Sequence, residues 1–186
     1  MSDDAEQQDL RPLGLTFFLA GLTMLLGASL VGYLIVRLSA DQWPPPGIPP
    51  VPMTLWISTA VLLLSSVTIH GALQGVREGD QRALKSGLVL TILLGLTFLL
   101  SQFLNGAAIY RAVLSETKEV YSFTFFLLTT LHAIHIIGGF VPLGIVTRNA
   151  IVGRYSEENH TGVRLTAIYW HYLDVVWFVM CVILTI

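Results

Sequence analysis

Five long apolar runs, separated by short polar connections, dominate the chain. Each run is long enough to cross a hydrocarbon core of ~30 Å, which takes about 20 residues of helix. They lie at about 13–38, 52–75, 84–110, 121–146 and 163–186. The pattern predicts an all-α polytopic membrane bundle of five transmembrane helices. The connections are too short to fold separately, so we expect one membrane domain over 13–186, preceded by an acidic, solvated and irregular tail over 1–12.

The distribution of basic residues predicts how the bundle faces. Lys and Arg resist translocation and collect on the cytoplasmic side. An odd number of spans places the N-terminal tail, the second loop and the fourth loop together, and this side carries seven of the ten basic residues: Arg11, Arg77, Arg82, Lys85, Arg148, Arg154 and Arg164. The other side carries Arg37, Arg111 and Lys118. We therefore predict a cytoplasmic N-terminus and a C-terminus on the outer face.

Composition narrows the function classes. The chain is 54% hydrophobic and 12% charged, against about 25% charged in an ordinary soluble domain. A net charge of −2 is too balanced for a nucleic-acid binder, which carries a basic patch. Cys181 is the single cysteine, which excludes a disulfide framework and a zinc site built on several thiolates. No nucleotide-binding or nucleophile motif is present.

Polar residues inside the spans concentrate in the last two. His132 and His135 share one helix face by their i, i+3 spacing, and so do His171 and Asp174. Histidines on facing helices are able to ligate haem or a metal. The alternative is that they pack inside the bundle, bonded to Asp174, to hydroxyls, to backbone or to a partner subunit. From the residues alone we favour the packing interpretation and leave haem ligation open.

Helical rise predicts the levels of these groups in the last two spans. We expect His132 to lie level with Trp177, and Asp174 to face the bundle and bond to His135 or His171 rather than to face lipid. In the third span, Gln102 and Asn105 are amides that are able to bond across a helix interface. Small residues also predict close packing, because Gly71 and Gly75 form a GxxxG motif in the second span.

Several segments together resemble one family. The run "FFLLTTLHAIHIIGGF" resembles the His-x-x-His helix of subunit III of the haem–copper (cytochrome c) oxidases. The run "IYWHYLDVVWFVMCVIL" resembles that family's final helix, with its Tyr-Trp-His-x-x-Asp-Val-Val-Trp signature. Upstream, "WPPPGIPPVP" and "VREGDQRAL" resemble the family's proline-rich loop and its Glu-Gly-Asp turn. The resemblance covers nearly all of the chain after its tail and is closest to the short, five-helix bacterial form.

The resemblance implies a non-redox accessory subunit of a respiratory terminal oxidase. It implies that this chain has no catalytic, cofactor-binding or metal-binding residues, and that haem and copper lie in partner subunits I and II. It also implies that the chain packs on subunit I and holds lipids in the bacterial inner membrane. In that position the chain would support sustained electron transfer coupled to proton uptake. The positions that match the family's motifs are His132, His135, Gly138, Trp170, His171, Asp174, Trp177, Gly79, Asp80 and His160.

Departures from the family pattern keep other functions open. Carboxylates that the family usually carries are replaced by Leu22, Asn105 and Arg164, and Gly21 stands in place of a serine. This indicates a divergent branch, either an unusual oxidase or the related accessory subunit of a nitric oxide reductase. A third possibility is an autonomous haem-bearing electron carrier. A small transporter is disfavoured because the chain shows no inverted repeat.

Overall fold

The computed structural model describes residues 2–40, 42, 53–114 and 119–185. Within these residues all regular structure is α-helical. The helices are α1 (Ser2–Leu38), α2 (Met53–Arg77), α3 (Gln81–Leu114), α4 (Glu119–Ile151) and α5 (Thr161–Thr185). Each contains a stretch that is long and apolar enough to span a membrane, which confirms the predicted five-helix membrane bundle.

The boundaries differ from the predicted spans mainly at the polar ends. The tail over 1–12 is not irregular, because α1 begins at Ser2. The helix continues through Pro12, which lies inside it and supplies no backbone N–H to its hydrogen bonds. Helices α3 and α4 also run beyond their apolar stretches, to Leu114 and from Glu119. The proline-rich run of the first loop lies outside the described residues.

Helix α5 is the centre of the bundle. It packs against α1, α2 and α4, while α2 and α3 form the closest pair and α3 also meets α4. Helix α1 contacts α4 and α5 but neither α2 nor α3 within the described residues. Half of the apolar stretch of α5 is buried, against 17% of that of α1. The final helix is therefore the element around which the others are organised.

Glycine makes the α2–α3 pairing close. Each Cβ placed on Gly75 or Gly87 would approach the partner helix within 3 Å, meeting the Ala83 Cβ at 2.7 Å and the Ala72 Cβ at 2.8 Å respectively. Gly71 has no such neighbour. Only one glycine of the predicted GxxxG motif serves packing within the chain, since Gly75 packs on α3 and Gly71 faces outward.

Two helices end in the same way at one end of the bundle, which we call the Gly79 end. Gly79 has φ 75° and Gly153 has φ 78°, the left-handed conformation that glycine adopts without strain. After each glycine the next backbone N–H bonds five residues back, from Asp80 to Gly75 and from Arg154 to Asn149. This is the Schellman closure of a helix C-terminus, and it returns the chain directly to the bundle.

Candidate functional site

The family-motif residues of α5 form a hydrogen-bonded interface with α2. Trp170 and Trp177 are seven residues apart and so lie on one face of α5, where both are fully buried. The Trp170 indole Nε1 donates to Ser65 Oγ at 2.9 Å, and the Trp177 Nε1 donates to Thr59 Oγ1 at 3.1 Å. A buried indole N–H needs a hydrogen-bond acceptor in an apolar interior. The α2 hydroxyls supply these acceptors, and they therefore fix the register of α5 against α2.

His171 belongs to the same interface, at its edge. It is half-buried, and its Nδ1 shares a hydrogen bond with Ser66 Oγ at 2.5 Å. The exposed ring of His70 on α2 lies beside it, with 6.1 Å between ring centroids. The α2–α5 contact therefore carries hydroxyls at two levels of α2, at Thr59 and at Ser65–Ser66, and an imidazole at its edge, at His70.

Asp174 faces the bundle, as predicted, but its predicted partner is wrong. The residue is only 4% exposed, yet neither carboxyl oxygen has a hydrogen-bond partner within the described residues. His171 is turned to Ser66, and the Nδ1 of His135 pairs with the Leu131 carbonyl of its own helix at 2.6 Å. Neither imidazole therefore bonds the carboxyl, and the nearest polar group to Asp174 is the Ser66 hydroxyl of α2.

His132 lies level with Trp177, as helical rise predicts. The two rings are stacked with centroids 5.0 Å apart and planes inclined by 29°. Phe98 of α3 meets both rings edge-on, at 6.4 Å from His132 and 5.1 Å from Trp177. His132 is 1% exposed, and neither ring nitrogen is hydrogen-bonded within the described residues. The imidazole serves here as an aromatic packing group among α3, α4 and α5.

His135 and Gly138 lie on the opposite side of α5, in an apolar cleft. The cleft has a volume of about 580 Å³ and is bounded by α1, α4 and α5, with Phe18, Pro142 and Leu165 among its lining residues. Tyr169 closes one wall by donating its hydroxyl to the His135 carbonyl at 2.9 Å. The two motif histidines of α4 are therefore separated, one in the aromatic core and one in this cleft.

The remaining motif residues lie at the Gly79 end. The Asp80 carboxylate accepts from the backbone N–H groups of Arg82 and Ala83, at 2.8 and 3.0 Å, and so caps the N-terminus of α3. These bonds favour the ionised form and lower the pKa of the Asp80 carboxyl below its usual value. His160 precedes α5 and accepts its first backbone bond, from Arg164. Neither residue lies near the intramembrane histidines.

The second and fourth loops meet at this end. The Glu157 side chain covers Gly79, where a Cβ would lie 2.6 Å from its Oε1. Gln81 Nε2 donates to the Tyr155 carbonyl at 3.1 Å. The left-handed glycine thus has a second reason to lack a side chain, since the loop before α5 packs over it.

The predicted cross-helix amides are confirmed. Gln102 Nε2 donates to Ser58 Oγ at 2.8 Å, and Asn105 Oδ1 accepts from Thr54 Oγ1 at 2.7 Å. Asn105 joins α3 to α2 at a position where the resemblance implies a carboxylate. Of the other departures, Leu22 is buried while Arg164 is exposed. Neither position offers an acid inside the bundle.

The intramembrane histidines of α4 and α5 lie in separate surroundings. Among the residues that the structure describes, no three His, Cys, Asp or Glu side chains are grouped so that they could hold a metal ion. His132 is enclosed by aromatic rings, His171 is bonded to Ser66, and His135 faces a different cavity. The three histidines therefore do not converge on one ligand.

Sequence reasoning missed the hydroxyls of α2. The hydrogen-bond partners of the polar side chains of α5 are Ser65, Ser66 and Thr59. Hydroxyls inside membrane helices commonly bond their own backbone, so they do not by themselves predict a contact between helices. The available signal was the run "SSVT" at 65–68, a dense hydroxyl patch within an apolar span. Its spacing from Thr59 matches the two indoles of α5.

Comparison with known proteins identifies the family. The family model for cytochrome c oxidase subunit III matches residues 8–186. A cytochrome c oxidase subunit 3 from Thermostichus vulcanus is 31% identical over 185 residues, covering 97% of this chain and 89% of that protein. The chain belongs to the cytochrome c oxidase subunit III family.

Two further members of the family extend the match. The subunit 3 of Synechocystis sp. is 29% identical over 177 residues, covering 94% of this chain and 75% of that protein. That of Salmo salar is 40% identical over 138 residues, covering 73% of this chain and 51% of the fish protein. As a member of the subunit III family, the chain is a multi-pass membrane subunit of an oxidase complex, as its sequence predicts.

Proposed function

We propose that this chain is the non-redox accessory subunit of a respiratory haem–copper terminal oxidase. It packs on subunit I, in a complex with subunit II, and those partners hold the haem and copper. The observation that carries the proposal is the use of its intramembrane histidines. His132 stacks on Trp177, and His171 bonds Ser66, so the imidazoles that suggest cofactor ligation serve helix packing instead.

We further propose that the subunit supports sustained turnover by holding lipid. The cleft among α1, α4 and α5 is almost wholly apolar and open at its side, which suits acyl chains. Support for proton uptake in subunit I then comes through the stability of the assembly, because this chain lacks the usual family carboxylates at Leu22, Asn105 and Arg164. The basic side, with the N-terminus, faces the cytoplasm of a bacterial inner membrane.

The proposal is tested on the complex isolated under mild detergent. Purification through a tag on this chain should yield subunits I and II with haem and copper, and the complex should reduce oxygen. Recovery of the chain alone, or of haem bound to the chain free of partners, would overturn the proposal. An oxidase prepared without this chain should start at the normal rate and lose activity sooner during turnover. Unchanged endurance would refute the supporting role.

A further inference from the structure

A buried carboxyl in the α2–α5 interface lies beside a hydroxyl that already bonds an imidazole. Asp174 is 4% exposed, and neither of its oxygens has a hydrogen-bond partner within the described residues. The nearest polar group is the Ser66 hydroxyl, which shares a bond with His171 Nδ1 at 2.5 Å. Ser66 therefore lies between a carboxyl and an imidazole, two kinds of side chain that commonly transfer protons in proteins.

The proton of the Ser66 hydroxyl is not committed to its own helix. Ser65 donates to the Leu62 carbonyl at 2.6 Å, and Thr68 donates to the Ser65 carbonyl at 2.8 Å, as hydroxyls in membrane helices commonly do. Among the described residues Ser66 makes no such backbone bond, and its partner is the imidazole. Since a hydroxyl both donates and accepts, Ser66 is able to accept a proton from one neighbour while it gives its own to the other.

A row of polar side chains leads from Ser66 to the end of α2. Ser66, His70, Gln74 and Glu78 recur every four residues, and side chains at this spacing are neighbours on a helix surface. Exposure rises along the row, because Ser66 is half-buried and the other three are exposed. Glu78 directly follows α2 at the Gly79 end, and its N–H still bonds the Gln74 carbonyl at 3.1 Å. We call this row the α2 polar track.

Two histidines connect the track to the carboxyl. The rings of His70 and His171 lie 6.1 Å apart between centroids, with their planes inclined by 54°. His70 precedes Arg77, the last residue of α2, by seven positions, which is about 10 Å at ~1.5 Å per residue. An ionisable side chain within a span usually meets protein or water rather than lipid. The two imidazoles therefore form a stepped path of protonatable groups from the Gly79 end to Ser66.

The other titratable side chains within the spans around α5 are engaged elsewhere. Helix α5 packs against α1, α2 and α4. On these helices and on α5 itself the contacts pair His132 with Trp177, His135 with the Leu131 carbonyl, Arg37 with the Ile183 carbonyl, Tyr169 with the His135 carbonyl, Tyr172 with Thr23, and Cys181 with Thr59. Tyr33 of α1 also has a partner. Within the described residues, the connection from the Asp174 carboxyl to water thus runs through Ser66.

We propose that Asp174 is a buried proton-binding site that exchanges its proton with water at the Gly79 end through Ser66, His171 and the α2 polar track. An ionised carboxylate without a partner is unfavourable in an apolar interior, so the carboxyl binds a proton. The inference goes beyond the proposed function and does not depend on it, because it concerns groups of this chain alone.

Each step of the exchange moves one proton and no electron. On release, Asp174 gives its proton to Ser66 Oγ while the Ser66 hydroxyl gives its own to His171 Nδ1. The products are a carboxylate and an imidazolium. His171 then loses the proton on Nε2 towards His70, from which it passes along the track to water. Uptake follows the same steps in reverse.

Isotope exchange of the carboxyl tests the site in the full-length chain, purified with the subunits that accompany it. The infrared C=O band of a protonated carboxyl that disappears in Asp174→Asn belongs to Asp174, and it shifts when deuterium replaces the proton. The wild-type protein should show this band, and the band should shift soon after transfer to heavy water. In Ser66→Ala, which removes the relaying hydroxyl, the shift should be slower by about tenfold or more. Absence of the band in the wild type would overturn the inference, because the carboxyl then holds no proton.

Three further variants separate the relay from a general loosening of the bundle. Ser66→Thr restores a hydroxyl and should restore fast exchange. His70→Phe keeps a ring without nitrogens and should slow exchange as Ser66→Ala does. Thr68→Val is the control, because it removes an α2 hydroxyl that pairs with Thr91 of α3, off the track, and it should exchange at the wild-type rate. Unchanged exchange in Ser66→Ala or His70→Phe, or equal slowing in Thr68→Val, would refute the route.

Discussion

The interface between α2 and α5 and the attachment of α1 are held in contrasting ways. Across the first, two buried indoles and an imidazole make three hydrogen bonds to hydroxyls at two levels, Thr59 and Ser65–Ser66. Helix α1 meets the bundle through a Thr23–Tyr172 hydroxyl pair at 3.0 Å and an Arg37 bond to the Ile183 carbonyl at 3.0 Å. The apolar cleft lies outside these two links, beyond the Thr23–Tyr172 pair, where Leu15 and Phe18 of α1 line it. One contact is continuous and specific, and the other is fastened at separate points.

The difference shows that a membrane bundle can hold one pair of helices rigidly, here α2 and α5, while another helix, here α1, is attached more adaptably. Apolar surface gains little from helix association when lipid is equally apolar, so close packing and cross-helix bonds decide which helices are fixed. The α2–α5 contact has both. The N-terminal part of α1 borders a space of about 580 Å³ that it shares with α4 and α5, so its packing there depends on what fills that space.

The largest effect is expected from breaking the α2–α5 interface. Trp170→Ala removes a fully buried side chain and leaves a cavity, which should lower the unfolding free energy by about 3–5 kcal/mol. Phe103→Ala is the control, because Phe103 is 73% exposed on α3, and it should change little. Thermal unfolding of both variants in detergent measures the difference. Equal losses would show that the α2–α5 interface is not the stronger region.

An intermediate gain in thermal stability is expected when the Asp174 carboxyl, within the same interface, is replaced by an apolar side chain. A buried polar group without a partner costs about 1–3 kcal/mol, and an apolar replacement recovers it. Asp174→Leu should therefore raise the unfolding midpoint, while Asp174→Asn, which keeps the volume and the polarity, should not. If Asp174→Leu instead destabilises the chain, the carboxyl has a partner that this arrangement does not provide.

A smaller loss is expected where α1 is attached. Tyr172→Phe removes the hydroxyl pair with Thr23 and should cost about 0.6 kcal/mol, the average for cross-helix bonds in membranes. Tyr169→Phe removes a bond between α5 and α4 instead. We expect only Tyr172→Phe to make α1 more accessible to limited proteolysis. Increased cleavage of α1 in the Tyr169 variant alone would reverse the comparison.

The smallest effect is a pH dependence at the turn that joins α2 to α3. The pKa of Asp80 is lowered in the folded chain by two backbone N–H bonds. The ionised Asp80 carboxylate therefore contributes fully to folding stability above the pKa that it has in the unfolded chain. This contribution is lost as the pH falls through the lowered pKa of the folded chain. Asp80→Asn should keep the cap and remove this acid-side loss in thermal scans. An identical acid profile in wild type and variant would contradict the assignment.

The sequence was sufficient for the fold but not for the contacts of its polar groups. A span needs a minimum apolar length whatever it contacts, so all five helices were predictable. The common level of His132 and Trp177 followed from helical rise, whereas the stacking of their rings is known only from the structure. The partners of Asp174 did not, because i, i+3 spacing places His171 near the carboxyl without deciding which way its ring turns. That choice depends on Ser66, on a helix far away in sequence.

The contacts of α1 also set an order of events during synthesis. Helices α2 and α3 are joined by a short turn and pair as soon as both are made. Helix α1 emerges first, yet its described contacts are with α4 and α5, the two helices made last. It must therefore wait in the bilayer as a single helix, with its future contact face coated by lipid. A nascent chain arrested before α5 lacks the partners of Thr23 and Arg37, and only α4 is then available for α1 to pack on.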